Sequence, residues 1–191
     1  MLVGVDTAHF CHLDKLVFFG LNQMYQIDDK SNANLNLEMS FMEKMYEFKR
    51  IGMNDIEVIK ELFISVFTIE PWNDDWSNQE QLDLYLSDLI GQSNSLTYGL
   101  FENKKMIAVS MGHIRHWFSG TEYYIDELCV RTDKQGKGIG TYFLKEIERG
   151  IKDIGLVQIF LQTENNVPAY GFYQKNGYYE LKEHVSFVKK V

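Results

Sequence analysis

The stretch Arg131-Thr-Asp-Lys-Gln-Gly-Lys-Gly-Ile-Gly140 sets three glycines at alternate positions between a β-rich run and an amphipathic helical pattern. Glycine lets backbone N–H groups turn toward a ligand and approach it closely. With the positive end of the helix that follows, such amides bind anions, and a pyrophosphate is the natural ligand. Lys134 and Lys137 add positive charge at the rim. The spacing differs from that of a P-loop, which needs Gly-Lys-Ser/Thr, and from that of the dinucleotide fingerprint.

The patterns on either side of this loop predict an α/β fold with a mixed sheet and helices on both faces. Upstream, a strand is predicted from Tyr46 to Ile51, then a helix capped by Asn54 or Asp55, then a helix capped by Ser77 and ended by Gly91. Three strands are predicted at residues 96–102, 106–117 and 121–131, with turns at Asn103-Lys104 and Ser119-Gly120. Downstream follow a helix at 138–152, a strand at 156–163, a helix at 167–176 and a closing hairpin.

Two motifs and one strand resemble those of a known family. Gln135-Gly-Lys-Gly-Ile-Gly140 resembles the Q/R-x-x-G-x-G/A signature of the GCN5-related N-acetyltransferase (GNAT) superfamily. Asn166-Val-Pro-Ala-Tyr-Gly-Phe-Tyr173-Gln-Lys-Asn-Gly177-Tyr178 resembles its closing Asn-x-x-Ala-x-x-x-Tyr-x-x-x-Gly-Phe, with Tyr178 in place of Phe. The preceding run Tyr124-Ile-Asp-Glu-Leu-Cys-Val130 resembles its fourth strand. The resemblance covers about residues 45–191.

The resemblance implies the acyl-CoA N-acyltransferase fold, with a mostly antiparallel sheet whose fourth and fifth strands splay apart. It also implies acetyl-CoA as the cofactor, with the pantetheine arm in the gap between those strands. Leu128, Cys129 and Val130 would pair with the pantetheine as an added strand does, and Asn166 would contact it too. The pyrophosphate would lie on the amides of Gln135, Gly136, Lys137, Gly138, Ile139, Gly140 and Thr141.

The resemblance also implies which residues move protons. Tyr173 lies in the position of the family's general acid, where a phenol protonates the leaving thiolate. Asp126 matches the acidic position used as base in the family's polyamine and aminoglycoside acetyltransferases, and Glu127 is the alternative. Adjacent residues of a regular strand point to opposite faces, so both cannot face one cleft unless a bulge intervenes.

The acceptor region is predicted between the first two helices, in Glu70-Pro-Trp-Asn-Asp-Asp-Trp76. Aromatic rings and carboxylates together bind cationic amines, so Trp72, Asp74, Asp75 and Trp76 are the candidate substrate-binding residues. Alternatively, the two tryptophans pack between the helices. We expect N-acetylation of a small-molecule amine by direct attack in a ternary complex. A protein N-terminus or lysine as acceptor, and an acyl-CoA sensor without turnover, remain alternatives.

Composition limits the other classes of function. The 191 residues carry a formal net charge of -8, which disfavours nucleic-acid binding. No run of eighteen apolar residues exists, so no membrane span is predicted. The two cysteines give no disulfide framework, and a cytoplasmic location is expected.

The pattern of the sequence changes near residue 45, after a stretch with little periodicity. We predict one catalytic domain at 45–191, preceded at 1–44 by an N-terminal extension of doubtful role. If 1–44 are instead an accessory element, a homodimer contact is one role open to them. His9, Cys11 and His12 lack a second ligand pair at a familiar spacing, so no metal site is expected.

Overall fold

A computed structural model describes residues 39–191 of the chain. Residues 43–191 form one compact unit. The predictions for residues 1–44 and for His9, Cys11 and His12 concern a segment that, up to residue 38, lies outside the described part. Within residues 39–191, no helix has the length and the apolar composition that crossing a membrane requires.

A five-stranded sheet runs in the order β1-β2-β3-β4-β5. Its strands are β1 (Tyr46–Ile51), β2 (Ser95–Glu102), β3 (Lys105–Trp117), β4 (Gly120–Val130) and β5 (Gln158–Leu161). Neighbouring strands are antiparallel except β4 and β5, which are parallel. The predicted mixed, mostly antiparallel sheet is therefore confirmed. Asn103 and Lys104, both with positive φ, form the predicted turn between β2 and β3.

Four α-helices lie wholly within the described residues: α1 (Ile56–Phe67), α2 (Gln79–Ile90), α3 (Ile139–Asp153) and α4 (Pro168–Lys175). Residues 39–45, just before β1, are helical as well. The apolar side of α1 is buried, with Ile59, Leu62, Phe63, Val66 and Phe67 in one core with α2 and the facing side chains of β3 and β4. Phe143 of α3 instead packs on the opposite face, against Phe48 of β1. The two layers of helices leave the end of the sheet near α4 as the place where a cleft can open.

Two local predictions were wrong. Asn78 caps α2 in place of Ser77: its side chain accepts from the Gln81 N–H at 3.1 Å, while the Ser77 N–H is taken by the Asp75 carboxylate. The closing hairpin is also absent, since no strand follows α4 within the described residues. Residues 178–191 do contain a turn, in which the His184 N–H donates to the Leu181 carbonyl at 3.0 Å, but no strand flanks it, and Val185 and Phe187 are 72% and 93% exposed.

Candidate active site

A cleft of about 420 Å³ lies between the end of β4, the glycine loop, α4 and the segment that follows α1. Ten of the predicted site residues line it: Trp72, Leu128, Cys129, Val130, Gln135, Gly136, Gly138, Gly140, Thr141 and Tyr173. A larger cavity of about 920 Å³ lies between α3, β5, α4 and the segment after it, where the hairpin had been predicted. The smaller cleft is the candidate site because it joins the glycine loop to a free strand edge.

That free edge results from the separation of β4 and β5. The two strands pair from Glu122–Gln158 to Ile125–Leu161, and no further. From Glu127 to Val130, β4 pairs only with β3. The predicted splay is thus confirmed, and the backbone that faces the cleft is open to an added strand.

The glycine loop has the backbone geometry that an anion site needs. Gly136 and Gly138 have φ values of 70° and 78°, a left-handed conformation that residues with a Cβ avoid. Gly138 occupies the N-cap position of α3, and a glycine has no side chain to cap the first-turn amides. Those amides therefore remain free for an anion at the positive end of the helix.

Polar contacts hold the loop in place. The Gln135 side chain donates to the Val130 carbonyl at 2.9 Å, which ties the loop to the end of β4. Lys134 forms an ion pair of 2.5 Å with Glu102 at the end of β2. At the start of α3, a Cβ on Gly140 would lie 3.0 Å from the Phe172 ring, so glycine allows α4 to pack closely there.

Three predicted cofactor residues have side chains outside the cleft. Ile139 is 2% exposed and belongs to the core. The Lys137 ammonium donates to the Asp133 carbonyl at 2.9 Å. Asn166 is exposed and does not cap α4, whose N-cap position is Val167. Ile139 and Lys137 therefore remain candidates for cofactor binding only through their backbone N–H groups.

Tyr173 lies on α4 and lines the cleft. Its ring packs against Phe172 and Tyr178, at centroid distances of 5.3 and 5.4 Å. Burial raises the pKa of Tyr173, and the charges of Glu127 and Cys129 raise it further. The phenol therefore keeps its proton in the resting protein, as a general acid must.

A bulge in β4 brings Asp126 and Glu127 to the same face of the sheet. Met111 of β3 pairs with Glu127 and the next residue, Gly112, pairs with Ile125, which leaves Asp126 as the extra residue. In a regular strand, Tyr123 and Cys129 would point to the same face of the sheet. Instead, Tyr123 packs on Tyr98 and Cys129 packs on the other face, in the core beneath α1 and α2, so the bulge between them reverses the alternation. The bulge alternative therefore applies to this strand, although neither carboxylate lines the cleft, whose lining on β4 begins at Leu128.

Glu127 is held by α2. The Tyr85 hydroxyl donates to Glu127 Oε1. Burial raises the pKa of Glu127 to about 7, Asp74 and Asp126 act in the same direction, and the Tyr85 hydrogen bond opposes them. A carboxylate that titrates near neutral pH is suited to accept a proton from an ammonium group.

Asp126 has a different partner. Its Oδ2 lies 2.8 Å from His113 Nδ1, and the two side chains are 25% and 32% exposed. The His113 ring also stacks on Tyr124, with centroids 4.9 Å apart and an interplanar angle of 20°. Asp126 is therefore already engaged across the β3–β4 ladder.

The predicted acceptor residues divide into two pairs. Trp72 lines the cleft, and Asp74, though exposed, is close enough to raise the pKa of Glu127. Trp76 packs between α1 and α2, stacked on Tyr85, and Asp75 is exposed beside Ser77. Packing between the two helices, the alternative to substrate binding, therefore applies to Trp76, whereas Trp72 lines the cleft.

Tyr85 was missed by the sequence analysis. It repeats with Leu82, Leu86 and Leu89 on the apolar side of α2, a pattern that gives no sign of a role in the site. The available signal was its hydroxyl, because a buried phenol usually has a hydrogen-bond partner.

Comparison with known proteins identifies relatives of this arrangement. The family model described as Acetyltransferase (GNAT) family matches residues 56–178. Comparison with curated protein sequences found no match. Similar solved structures include a possible acetyltransferase from Clostridium difficile 630, with 18% identity, coverage of 77% of this chain and 99% of that chain, and a TM-score of 0.66.

Two further structures are aminoglycoside acetyltransferases. Meta-AAC0020, from an uncultured soil metagenomic sample and in complex with sisomicin, has 20% identity, coverage of 78% and 99%, and a TM-score of 0.62. AAC(6')-Iy, in complex with the bisubstrate analog CoA-S-monomethyl-acetylneamine, has 14% identity, coverage of 76% and 98%, and a TM-score of 0.59. At these identities the likeness concerns the fold.

Proposed function

The chain belongs to the GNAT acetyltransferase family, and on that premise we propose that it transfers an acetyl group to a primary amine of a small molecule by direct attack in a ternary complex. Acetyl-CoA is the cofactor, and it supplies the acetyl group as a thioester. The observation that carries the proposal is that Tyr173 lines the cleft where β4 and β5 separate, with Glu127 near enough for its charge to raise the pKa of Tyr173.

The residues of the cleft fit this cofactor. The left-handed Gly136 and Gly138 and the uncapped amides at the start of α3 suit a pyrophosphate. The edge of β4 at Leu128, Cys129 and Val130 suits the amide groups of a pantetheine arm. Asn166, exposed just before α4, keeps its proposed contact with that arm.

Glu127 is the proposed base. Its carboxylate takes a proton from the acceptor ammonium, and the free amine nitrogen then attacks the thioester carbonyl carbon. Asp126 is less suited to this step because His113 occupies one of its oxygens. We propose instead that Asp126 adds negative charge that attracts the acceptor, as do Asp74 and Asp75 on the loop before α2.

Tyr173 is the proposed acid. When the carbon–sulfur bond breaks, the Tyr173 hydroxyl gives its proton to the departing thiolate. The attacking nitrogen loses its second proton to solvent as the amide forms, solvent returns one proton to the phenolate, and Glu127 releases its proton, so one proton is set free in each turnover. Each turnover thus forms one amide bond and one thiol. The high pKa of Tyr173, which burial causes, keeps this proton in place until the thiolate forms.

A small-molecule acceptor is supported by the side chains around the cleft. Trp72 and Glu70 line it, and the nearby carboxylates suit a cationic amine. The aminoglycoside complexes of the structural neighbours are compatible with such an acceptor. We also propose a cytoplasmic protein that does not bind nucleic acid, in keeping with its net charge of -8.

The test is thiol release from acetyl-CoA over a panel of amines. The panel contains polyamines, aminoglycosides, amino-acid derivatives, and peptides with a free N-terminus or lysine. We expect turnover with a small amine and little with peptides. Faster turnover with peptides would establish a protein acceptor. Tight coenzyme A binding without release in any reaction would identify a sensor.

A further inference from the structure

Tyr85 connects α2 to the fourth strand of the sheet. Its hydroxyl donates to Glu127 Oε1, although the two residues are 42 positions apart in the chain. Among the described residues this hydroxyl is the hydrogen-bond donor found for the carboxyl, whereas the charges of Asp74 and Asp126 raise the pKa of Glu127, and Glu127 in turn raises the pKa values of Cys129 and Tyr173. Tyr85 is therefore the donor that fixes the direction of this carboxyl.

The Tyr85 ring is fixed in turn by Trp76. The two rings stack with centroids 5.0 Å apart and an interplanar angle of 25°. Trp76 also meets Phe63 of α1 edge-on, at 5.4 Å and 70°. Trp76 is the last residue of the segment 70–76, the acceptor loop, which carries Trp72 and Asp74. One continuous line of contacts thus runs from the acceptor loop through Trp76 and Tyr85 to Glu127.

The other carboxylate of the bulge lacks this connection. Asp126 bonds to His113, whose ring stacks on Tyr124 within the sheet. The bulge therefore gives two consecutive carboxylates different supports, one from α2 and the acceptor loop and one from β3. Of the two, only the first support is in contact with the acceptor loop.

We propose that Tyr85 is a positioning residue, which holds the Glu127 carboxyl in place for proton transfer and couples it through Trp76 to the acceptor loop. This inference rests on the proposed function, in which Glu127 is the base. The consequence is that an acceptor which orders the loop also orders the base.

The hydrogen bond has a predictable effect on titration. A donor to a carboxylate stabilises its ionised form and lowers its pKa. Removing the Tyr85 hydroxyl therefore raises the pKa of Glu127 above its value of about 7. Since a bond to a charged group changes an ionisation by about one pH unit, the carboxylate becomes scarcer at low pH and stays abundant at high pH.

The first experiment compares kcat/KM against pH for the native chain, Tyr85→Phe and Tyr170→Phe, all with one acceptor. Tyr170 is the matched control, because its hydroxyl donates at 3.3 Å to a carboxylate of Glu180 outside the cleft. For Tyr85→Phe we expect the acidic limb to move up by about one pH unit, with about tenfold lower activity near pH 6 and less than about threefold change near pH 9. Tyr170→Phe should follow the native profile.

The second experiment needs no activity. In protein labelled with ¹³C-glutamate, the Glu127 carboxyl signal is assigned by its loss in Glu127→Gln, and its titration midpoint is read without acceptor or cofactor. Tyr85→Phe should raise that midpoint. Trp76→Leu should raise it in the native background and add nothing when Tyr85 is already Phe, because Trp76 acts through Tyr85.

The outcomes separate the two proposals. An unchanged midpoint in Tyr85→Phe overturns the positioning role, whatever the activity. Additive effects of Trp76→Leu and Tyr85→Phe overturn the coupling to the loop. A shifted midpoint in a chain that releases no thiol with any amine overturns the proposed function and leaves the contact between Tyr85 and Glu127 established.

Discussion

The backbone of Tyr124 lies so close to Gly112 that a Cβ on Gly112 would overlap the Tyr124 carbonyl oxygen. Gly112 pairs with Ile125 across the β3–β4 ladder, next to the bulge in which Asp126 is the extra residue of β4. A glycine within a strand is costly, and here the close approach of two backbones explains it. The position of both carboxylates therefore depends on a residue that touches neither.

Gly112→Ala should displace the bulge. Overpacking of this kind costs about 1–3 kcal/mol of stability, and the shift of Asp126 and Glu127 should lower kcat in the folded fraction as well. Gly52→Ala is the control, since nothing lies within 4 Å of a Cβ there. Thermal unfolding and thiol release measure the two effects. Native stability and activity in Gly112→Ala would mean that the strands adjust without moving the carboxylates.

Gly138→Asp should abolish coenzyme A binding. The aspartate adds bulk and negative charge at the amides proposed to hold the pyrophosphate. Gly155→Asp is the matched control: its φ of 81° resembles the 78° of Gly138, so the backbone strain is similar, and it lies just after the C-terminal end of α3, whereas Gly138 lies at the start of that helix. Calorimetry should show binding in Gly155→Asp and none in Gly138→Asp. Equal affinities in two folded variants would place the pyrophosphate elsewhere.

Tyr173→Phe keeps the ring and removes the proposed proton donor. We expect kcat to fall by about 10²–10⁴, with coenzyme A affinity unchanged. Tyr178→Phe is the control, because its ring lies 5.4 Å from that of Tyr173 and its hydroxyl has no hydrogen-bond partner among the described residues. A loss of less than about threefold in Tyr173→Phe would mean that water or the acceptor supplies the proton.

A chain that begins at Met45 should fold and keep its turnover. It loses the ion pair of 3.0 Å between Glu43 and Arg149, whose side chains are 47% and 54% exposed, and such pairs contribute about 0–1 kcal/mol. Glu43→Gln in the full chain isolates that loss. The melting temperature should fall by no more than about 4 °C. Insolubility or loss of turnover would assign residues 1–44 to the domain, with a dimer contact as the next hypothesis to test by sedimentation.

The glycine loop and the α1 core could be predicted because their signals are local. Gly136, Gly138 and Gly140 stand within five positions, and the apolar side of α1 repeats with the period of a helix. Ser77 failed as a cap because α2 begins one residue later, so that Asn78 is the residue whose side chain reaches the Gln81 N–H, and periodicity does not fix a helix boundary to one residue. The hairpin was wrong because a turn does form at Leu181–His184 but the apolar residues after it, Val185 and Phe187, stay exposed and pair with no strand.

The arrangement of the carboxylates could not be predicted, because it depends on pairing between distant segments. The bulge at Asp126 follows from the register of β3 against β4, and the support of Glu127 comes from α2. Gly112, within the predicted third strand, was the one local signal of a bulge. The choice between Asp126 and Glu127 thus had to wait for the partners His113 and Tyr85.

Glu127→Gln should stabilise the protein at high pH and not at low pH. The pKa of Glu127 is about 7 in the folded chain against 4.5 for an exposed glutamate, so between these values the folded state holds a proton that the unfolded state has released. The free energy of unfolding therefore falls as pH rises from about 4.5 to about 7. Glutamine resembles the protonated form and still accepts from Tyr85, so it escapes this loss.

The melting temperature of Glu127→Gln should equal that of the native chain near pH 4 and exceed it by on the order of 5 °C near pH 8. Glu80→Gln, at an exposed position of α2, should follow the native chain throughout. Because the same variant should lose turnover, gain of stability and loss of activity would together mark a carboxylate kept buried at a cost to the fold. A difference that is constant across pH would show that Glu127 titrates as an ordinary glutamate and is poorly suited to act as the base.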